Sequence, residues 1–142
     1  MARLMNLSTK CEYAILAVLD LAVTASAQPV RIADIAARQD IPQKFLEGIL
    51  AELKRSGVLE SRRGAEGGYL LGRSPDLITV GEVVRAIESG RGKLASGEDG
   101  PLATLLRELE ASIAAVLEHR TFAELAREWR ERKTTFSHDW QI

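Results

Sequence analysis

The chain has 142 residues, 19 Lys/Arg against 20 Asp/Glu for a net charge of −1, and 46 % hydrophobic but only 5 % aromatic residues. That length suits one domain, or one domain with an appendage, and its core has to be filled by Leu, Ile, Val and Ala. Balanced charge excludes an overall pull toward nucleic acid, so any basic surface must be local. Residues 1–73 carry 10 Lys/Arg against 8 Asp/Glu (+2), and residues 74–142 carry 9 against 12 (−3). Glu12 and Asp20 interrupt the first apolar stretch, and no run of about 18 apolar residues occurs, so neither a spanning helix nor a signal peptide is expected. The single cysteine, Cys11, excludes an internal disulfide framework. A cytoplasmic protein is expected.

The first element runs over about 7–25. Ser8 or Thr9 can cap it, and it is apolar nearly all round, as a helix sandwiched between others should be. Pro29 breaks the chain before a short helix at about 32–39 that buries Ile32, Ile35 and Ala36. Asp40-Ile41-Pro42 makes a turn, and Pro42 is preset for the start of a helix over about 43–56. That helix is expected to bury Phe45, Leu46, Ile49, Leu50 and Leu53. Its opposite face carries Gln43, Lys44, Glu47, Gly48, Ala51, Lys54 and Arg55. Helix, three-residue turn, helix is the helix-turn-helix arrangement, though ordinary helical hairpins share it.

Two short alternating runs follow, 58–63 and 69–72, around a loop holding Gly64, Gly67 and Gly68. Such glycines permit the backbone angles of a tight or bulged hairpin, with Arg62 and Arg63 at its shoulder. A basic hairpin after two short helices is the order of a winged helix. Thr79 then caps a helix over about 80–88, with Glu82 completing a capping box. Residues 89–100, SGRGKLASGEDG, read as a flexible loop. Pro101 begins a helix to about 119, in which Leu102, Leu105, Leu109, Ile113 and Val116 follow a 3-4-4-3 spacing. That spacing makes a narrow seam, either core packing or, as preferred here, a dimer interface. Thr121 to Glu124 repeats the capping-box pattern before a short last helix, and a polar tail follows. The expected fold is mainly α with a small β-hairpin: a winged helix-turn-helix domain (1–88), a loop (89–100), a dimerisation helix and short C-terminal helix (101–131), and a tail (132–142).

The segments LSTKCEYAILAVLDLA, IADIAARQDIPQKFLEGILAELKRSGVLESRRGAEGGYLL and ITVGEVVRAIE resemble the Rrf2 family of bacterial repressors, which includes the IscR, NsrR and CymR groups. The likeness is close over about 6–88 and looser to about 128. It implies a homodimeric winged-helix repressor that binds a pseudo-palindromic operator on double-stranded DNA. On matching positions it implies that Lys44 and Glu47 meet base edges, where a carboxylate can accept from cytosine N4. Gln43 would add an amide contact. Arg63 and Arg62 would enter the minor groove, whose negative potential suits a guanidinium. Lys54, Arg55 and Arg31 would hold phosphates.

One departure from the resemblance concerns iron. Many members carry three cysteines for an iron–sulfur cluster in the loop matching 89–100, and this loop has neither cysteine nor histidine. His119 and His138 have no ligand spacing, so no cluster and no structural metal is expected. Cys11, near a helix N-terminus, is a candidate redox thiol or a packing residue. The end Asp139-Trp140-Gln141-Ile142 resembles the peptide of cysteine-metabolism repressors that docks into O-acetylserine sulfhydrylase, making Trp140 and Ile142 candidate partner-binding residues. An enzyme is not expected: no nucleophile motif occurs, and Gly64 to Gly68 lacks the Lys and Ser/Thr of a phosphate loop. A winged helix that docks a protein instead of DNA is the third possibility.

Overall fold

The computed structural model describes residues 7–88 and 99–140, with side chains of the last helix described as far as Lys133. The elements are α1 (Thr9–Thr24), α2 (Ile32–Gln39), α3 (Gln43–Arg55), β1 (Leu59–Arg62), β2 (Gly68–Leu71), α4 (Val80–Glu88), α5 (Pro101–His119) and α6 (Phe122–Trp140). Local chemistry sets most of the boundaries. Ser8 Oγ accepts the Cys11 N–H at 3.1 Å to start α1, and Ala25 closes it in the left-handed region. Asp40, also left-handed, ends α2. The capping box of α4 forms as expected: the Glu82 N–H donates to Thr79 Oγ1 (3.2 Å) and the Thr79 N–H to Glu82 Oε1 (3.4 Å).

α1 is the centre of the molecule and packs against α2, α3, α4 and α6. Ala14, Ala17, Val18, Leu21 and Ala22 are buried along it, so the small side chains let neighbouring helices approach closely. α3 buries Leu46, Ile49, Leu50 and Leu53, the i, i+3, i+4, i+7 stripe of an amphipathic helix. Phe45, expected inside, is 41 % exposed; it sits at the rim, edge-on to Tyr13 at 5.5 Å between ring centroids. Ile32 is half-buried against the core.

β1 and β2 form an antiparallel hairpin with Leu59 opposite Leu71 and Arg62 opposite Gly68. The segment between α1 and α2 joins this sheet at one point, Val30 opposite Tyr69. The Val30 N–H donates to Tyr69 O at 2.9 Å, and the Tyr69 N–H returns the bond at 2.8 Å. Gly68 makes this approach possible: φ is +156°, and a Cβ there would lie 2.3 Å from Val30 O.

α5 and α6 are stitched to the winged part. Thr79 pairs with Thr121, the Phe122 N–H donates to Ile78 O (3.0 Å), and Phe122 is fully buried. The expected short last helix is corrected: α6 continues to Trp140, through most of the stretch read as a tail. Residues 122–140 contain neither glycine nor proline, so nothing halts a helix once Phe122 and Ala126 anchor its first turns in the core. Residues 89–98, most of the expected loop, and residue Ile142 lie outside the described residues.

Candidate nucleic-acid interface

Helix α2 is braced from beneath by a buried carboxylate. Asp20, 4 % exposed on α1, accepts two hydrogen bonds from Arg38 (Nε 2.9 Å, Nη2 2.8 Å) and one from Gln39 Nε2 (3.0 Å). These three bonds compensate a charge that would otherwise be costly to bury. In the sequence Asp20 reads only as an interruption of an apolar stretch; its partners, 18 and 19 residues away, give no local signal. A second tie, Lys10 Nζ to Glu52 Oε1 at 2.7 Å, joins the start of α1 to α3.

On this base, Gln43, Lys44 and Glu47 are exposed over the first half of α3. They offer an amide, an ammonium and a carboxylate, the groups that read base edges in a major groove. Pro42 stands at the N-cap with no side-chain capping bond, so the positive end of the helix is left open. Lys54 and Arg55 are exposed in the last turn, where they also complement the helix dipole. Arg62 closes β1, and Arg63 follows at the hairpin turn; both are exposed. Arg31 is exposed as well, but its Nη2 donates to the Ala65 carbonyl at 2.7 Å. Sequence reasoning missed that bond, which spans 34 residues.

Away from this surface, α5 carries a second unsatisfied face. Leu102 (68 %), Leu105 (51 %), Leu109 (46 %) and Val116 (61 %) are exposed, while Ile113 is half-buried. Core packing, the alternative for the seam, is therefore not its role within a single chain. Ala103 is buried, and an Arg85–Glu118 ion pair joins α4 to α5.

The redox expectation for Cys11 meets opposing physics. The residue is fully buried, and its thiol is pushed up to about 12, first by desolvation and then by the negative charges of Glu88 and Glu12. These effects outweigh the helix N-terminus, so the thiolate needed for reactivity is suppressed. Trp140 ends α6, and its side chain lies outside the described residues.

A helix-turn-helix whose second helix exposes polar and charged groups, followed at once by a basic hairpin, defines a winged-helix DNA-binding protein. Comparison with known proteins narrows the class. The family model Rrf2, described as iron-dependent transcriptional regulator, matches residues 7–128. IscR of Escherichia coli, an HTH-type transcriptional regulator, is 36 % identical over 129 residues, covering 85 % of this chain and 80 % of that one. Among solved structures, T. potens IscR superposes with a TM-score of 0.81 at 32 % identity, covering 93 % of each chain. CymR, described as the global cysteine regulator of B. subtilis, superposes at 0.79 with 28 % identity, covering 88 % of this chain and 98 % of that one. The chain belongs to the Rrf2 family of DNA-binding transcriptional regulators, and it is not an enzyme.

The family description implies iron, and the residues here do not fit it. The whole sequence holds one cysteine, buried and held protonated, and no cluster of three His, Cys, Asp or Glu suited to a metal exists among the described residues. Iron–sulfur clusters require several thiolates or imidazoles. No helix among the described residues is long and apolar enough to cross a membrane.

Proposed function

We propose that this chain is a homodimeric repressor without an iron–sulfur cluster that reads a pseudo-palindromic operator. The observation that carries this reading is the pairing of two unsatisfied surfaces. Polar and charged groups stand open on α3 and the wing, and an apolar stripe stands open on α5. A second copy seated on Leu102, Leu105, Leu109, Ile113 and Val116 would bury the stripe and present two reading helices to two half-sites. Glu47 and Lys44 then read bases, Gln43 adds an amide contact, and Arg63 with Arg62 enters the minor groove. Lys54 and Arg55 hold phosphates and set the register.

Equilibrium binding to a duplex selected by the protein from a random pool tests this directly. Arg63→Ala should cost about 1–3 kcal/mol of affinity, and Glu47→Ala should relax preference at one base pair in each half-site. Unchanged binding by both variants would leave the winged helix as a protein-docking module.

A second reading concerns what the repressor senses. The likeness to CymR, the global cysteine regulator of B. subtilis, favours sulfur metabolism and a partner such as O-acetylserine sulfhydrylase engaging the end that carries Trp140 and Ile142. Capture of a terminal carboxylate is a known recognition mode. Removing Ile142 should abolish sulfhydrylase binding measured by calorimetry; equal binding with and without Ile142 ends this reading.

A further inference from the structure

Arg31 is the last residue before α2 and sits against the wing through its own backbone. Its neighbour Val30 exchanges two hydrogen bonds with Tyr69, and a Cβ on Gly68 would come within 3.0 Å of Arg31 N. The Arg31 carbonyl is engaged in starting α2, accepting from the Asp34 and Ile35 N–H groups at 3.1 and 3.2 Å. Its side chain makes no capping bond. It reaches instead to the wing tip, where Nη2 donates to Ala65 O at 2.7 Å.

The tip needs such a hold. Gly64 (φ +110°) and Gly67 flank Ala65 and Glu66, and the turn is closed by one short-range bond, Gly67 N–H to Gly64 O at 3.0 Å. A turn flanked by glycines has wide backbone freedom, and Arg63 leaves the hairpin at its edge. We propose that Arg31 is a positioning residue for the wing: its guanidinium, by holding the Ala65 carbonyl, fixes the direction in which Arg63 projects. Because Arg31 also begins α2, one residue sets the wing against the helix-turn-helix. The bound conformation of the wing is thereby preorganised, which lowers the ordering cost of binding.

The proposal rests on the reading of Arg63 as a groove contact, and it differs from a phosphate contact in a measurable way. A phosphate contact releases condensed counterions and contributes about 0.9 to the slope of log Kobs against log salt, whereas a positioning residue contributes nothing to it. The test uses the full chain and a duplex selected by the wild-type protein from a random pool. Arg31→Ala should weaken binding about 3- to 10-fold, the worth of one partly exposed hydrogen bond, with the salt slope unchanged. In an Arg63→Ala background the same change should cost nothing further. Arg31→Lys, whose ammonium can donate to the same carbonyl, should recover most of the loss. In the free protein, exchange of the Gly67 amide, followed by NMR, should quicken in Arg31→Ala and return toward the wild-type rate in Arg31→Lys.

A slope reduced by about 0.9, with the loss persisting in the Arg63→Ala background, would make Arg31 a phosphate contact and overturn the proposal. Unchanged Gly67 exchange would overturn it too, since the hold on the tip would then be absent. The underlying reading fails separately: Arg63→Ala alone would leave affinity unchanged whatever the Gly67 amide does, and the role of Arg31 in DNA binding would fall with it.

Discussion

The reading head and the long helix α5 leave opposite kinds of groups without partners. Across α2, α3 and the wing, the aliphatic stripe is covered, and Gln43, Lys44, Glu47, Arg62 and Arg63 stand in solvent. On α5 the apolar residues face out, with Leu102 and Val116 more than 60 % exposed. Groups left open by the fold indicate what completes them. Exposed cations and amides are matched by a polyanion with readable edges, and an apolar stripe at heptad-like spacing is matched by a second such stripe.

The largest expected effect comes from breaking the α5 side. Leu105→Glu combined with Leu109→Glu should give a monomer in sedimentation. Its affinity for a two-half-site duplex should fall about 100-fold or more, because each half-site contact then binds without the gain of its linked partner. A dimer with wild-type affinity would mean that the stripe serves another partner.

On the reading-head side, Asp20→Ala would leave Arg38 and Gln39 without the carboxylate that anchors α2 to α1. A loss of about 2 kcal/mol is expected, discounted because Arg38 is half exposed, and it should appear as a drop of about 5 °C in thermal unfolding. A change within error would show that the brace is not needed for stability. Smaller again is the effect of Lys54→Ala or Arg55→Ala, each of which should lower the salt slope of operator binding by about 0.9 while leaving base preference intact. A shift in preferred sequence would promote that residue from phosphate contact to base contact.

The smallest effect concerns pH. The Arg73 guanidinium holds the Glu82 carboxyl below its ordinary value, helped by the Thr79 backbone. The folded state thus favours the ionised form. Its contribution is complete above the unfolded value of about 4.5 and is lost as pH falls below it. Glu82→Gln should therefore cost a few tenths of a kcal/mol at neutral pH, screened as the pair is, and the difference should vanish in acid. A difference that persists in acid would point to the capping geometry and not the charge.

What the sequence made legible was the chemistry of short range. Ser8, the Thr79–Glu82 box, Pro42 and the wing glycines act on neighbours within a few residues, and the elements they bound lie where the periodicity puts them. The seam on α5 was legible as a spacing, but exposure alone separated an open stripe from a core stripe. Contacts across the chain were not legible. Asp20 reads as a polar interruption until Arg38 and Gln39 fold over it, and Arg31 reads as a generic cation until the wing returns beside it. Phe45 follows the apolar periodicity yet lies at its edge, since the sequence does not tell where α1 stops covering α3. The length of α6 was missed because a polar sequence resembles a tail, although nothing in it breaks a helix.

The stitch at Thr79–Thr121, with Phe122 driven into the core, bears on distance as much as on stability. It clamps the far end of α5 to the winged part, so that helix cannot swing without carrying its reading head along. In the proposed dimer each half becomes one arm of a calliper, with its pivot on the leucine stripe. Half-sites of such regulators repeat about one helical turn apart, near 34 Å, or at multiples of it. Any signal that alters the crossing of the two α5 helices would then act by changing the gauge, and could silence the protein while both heads remain intact.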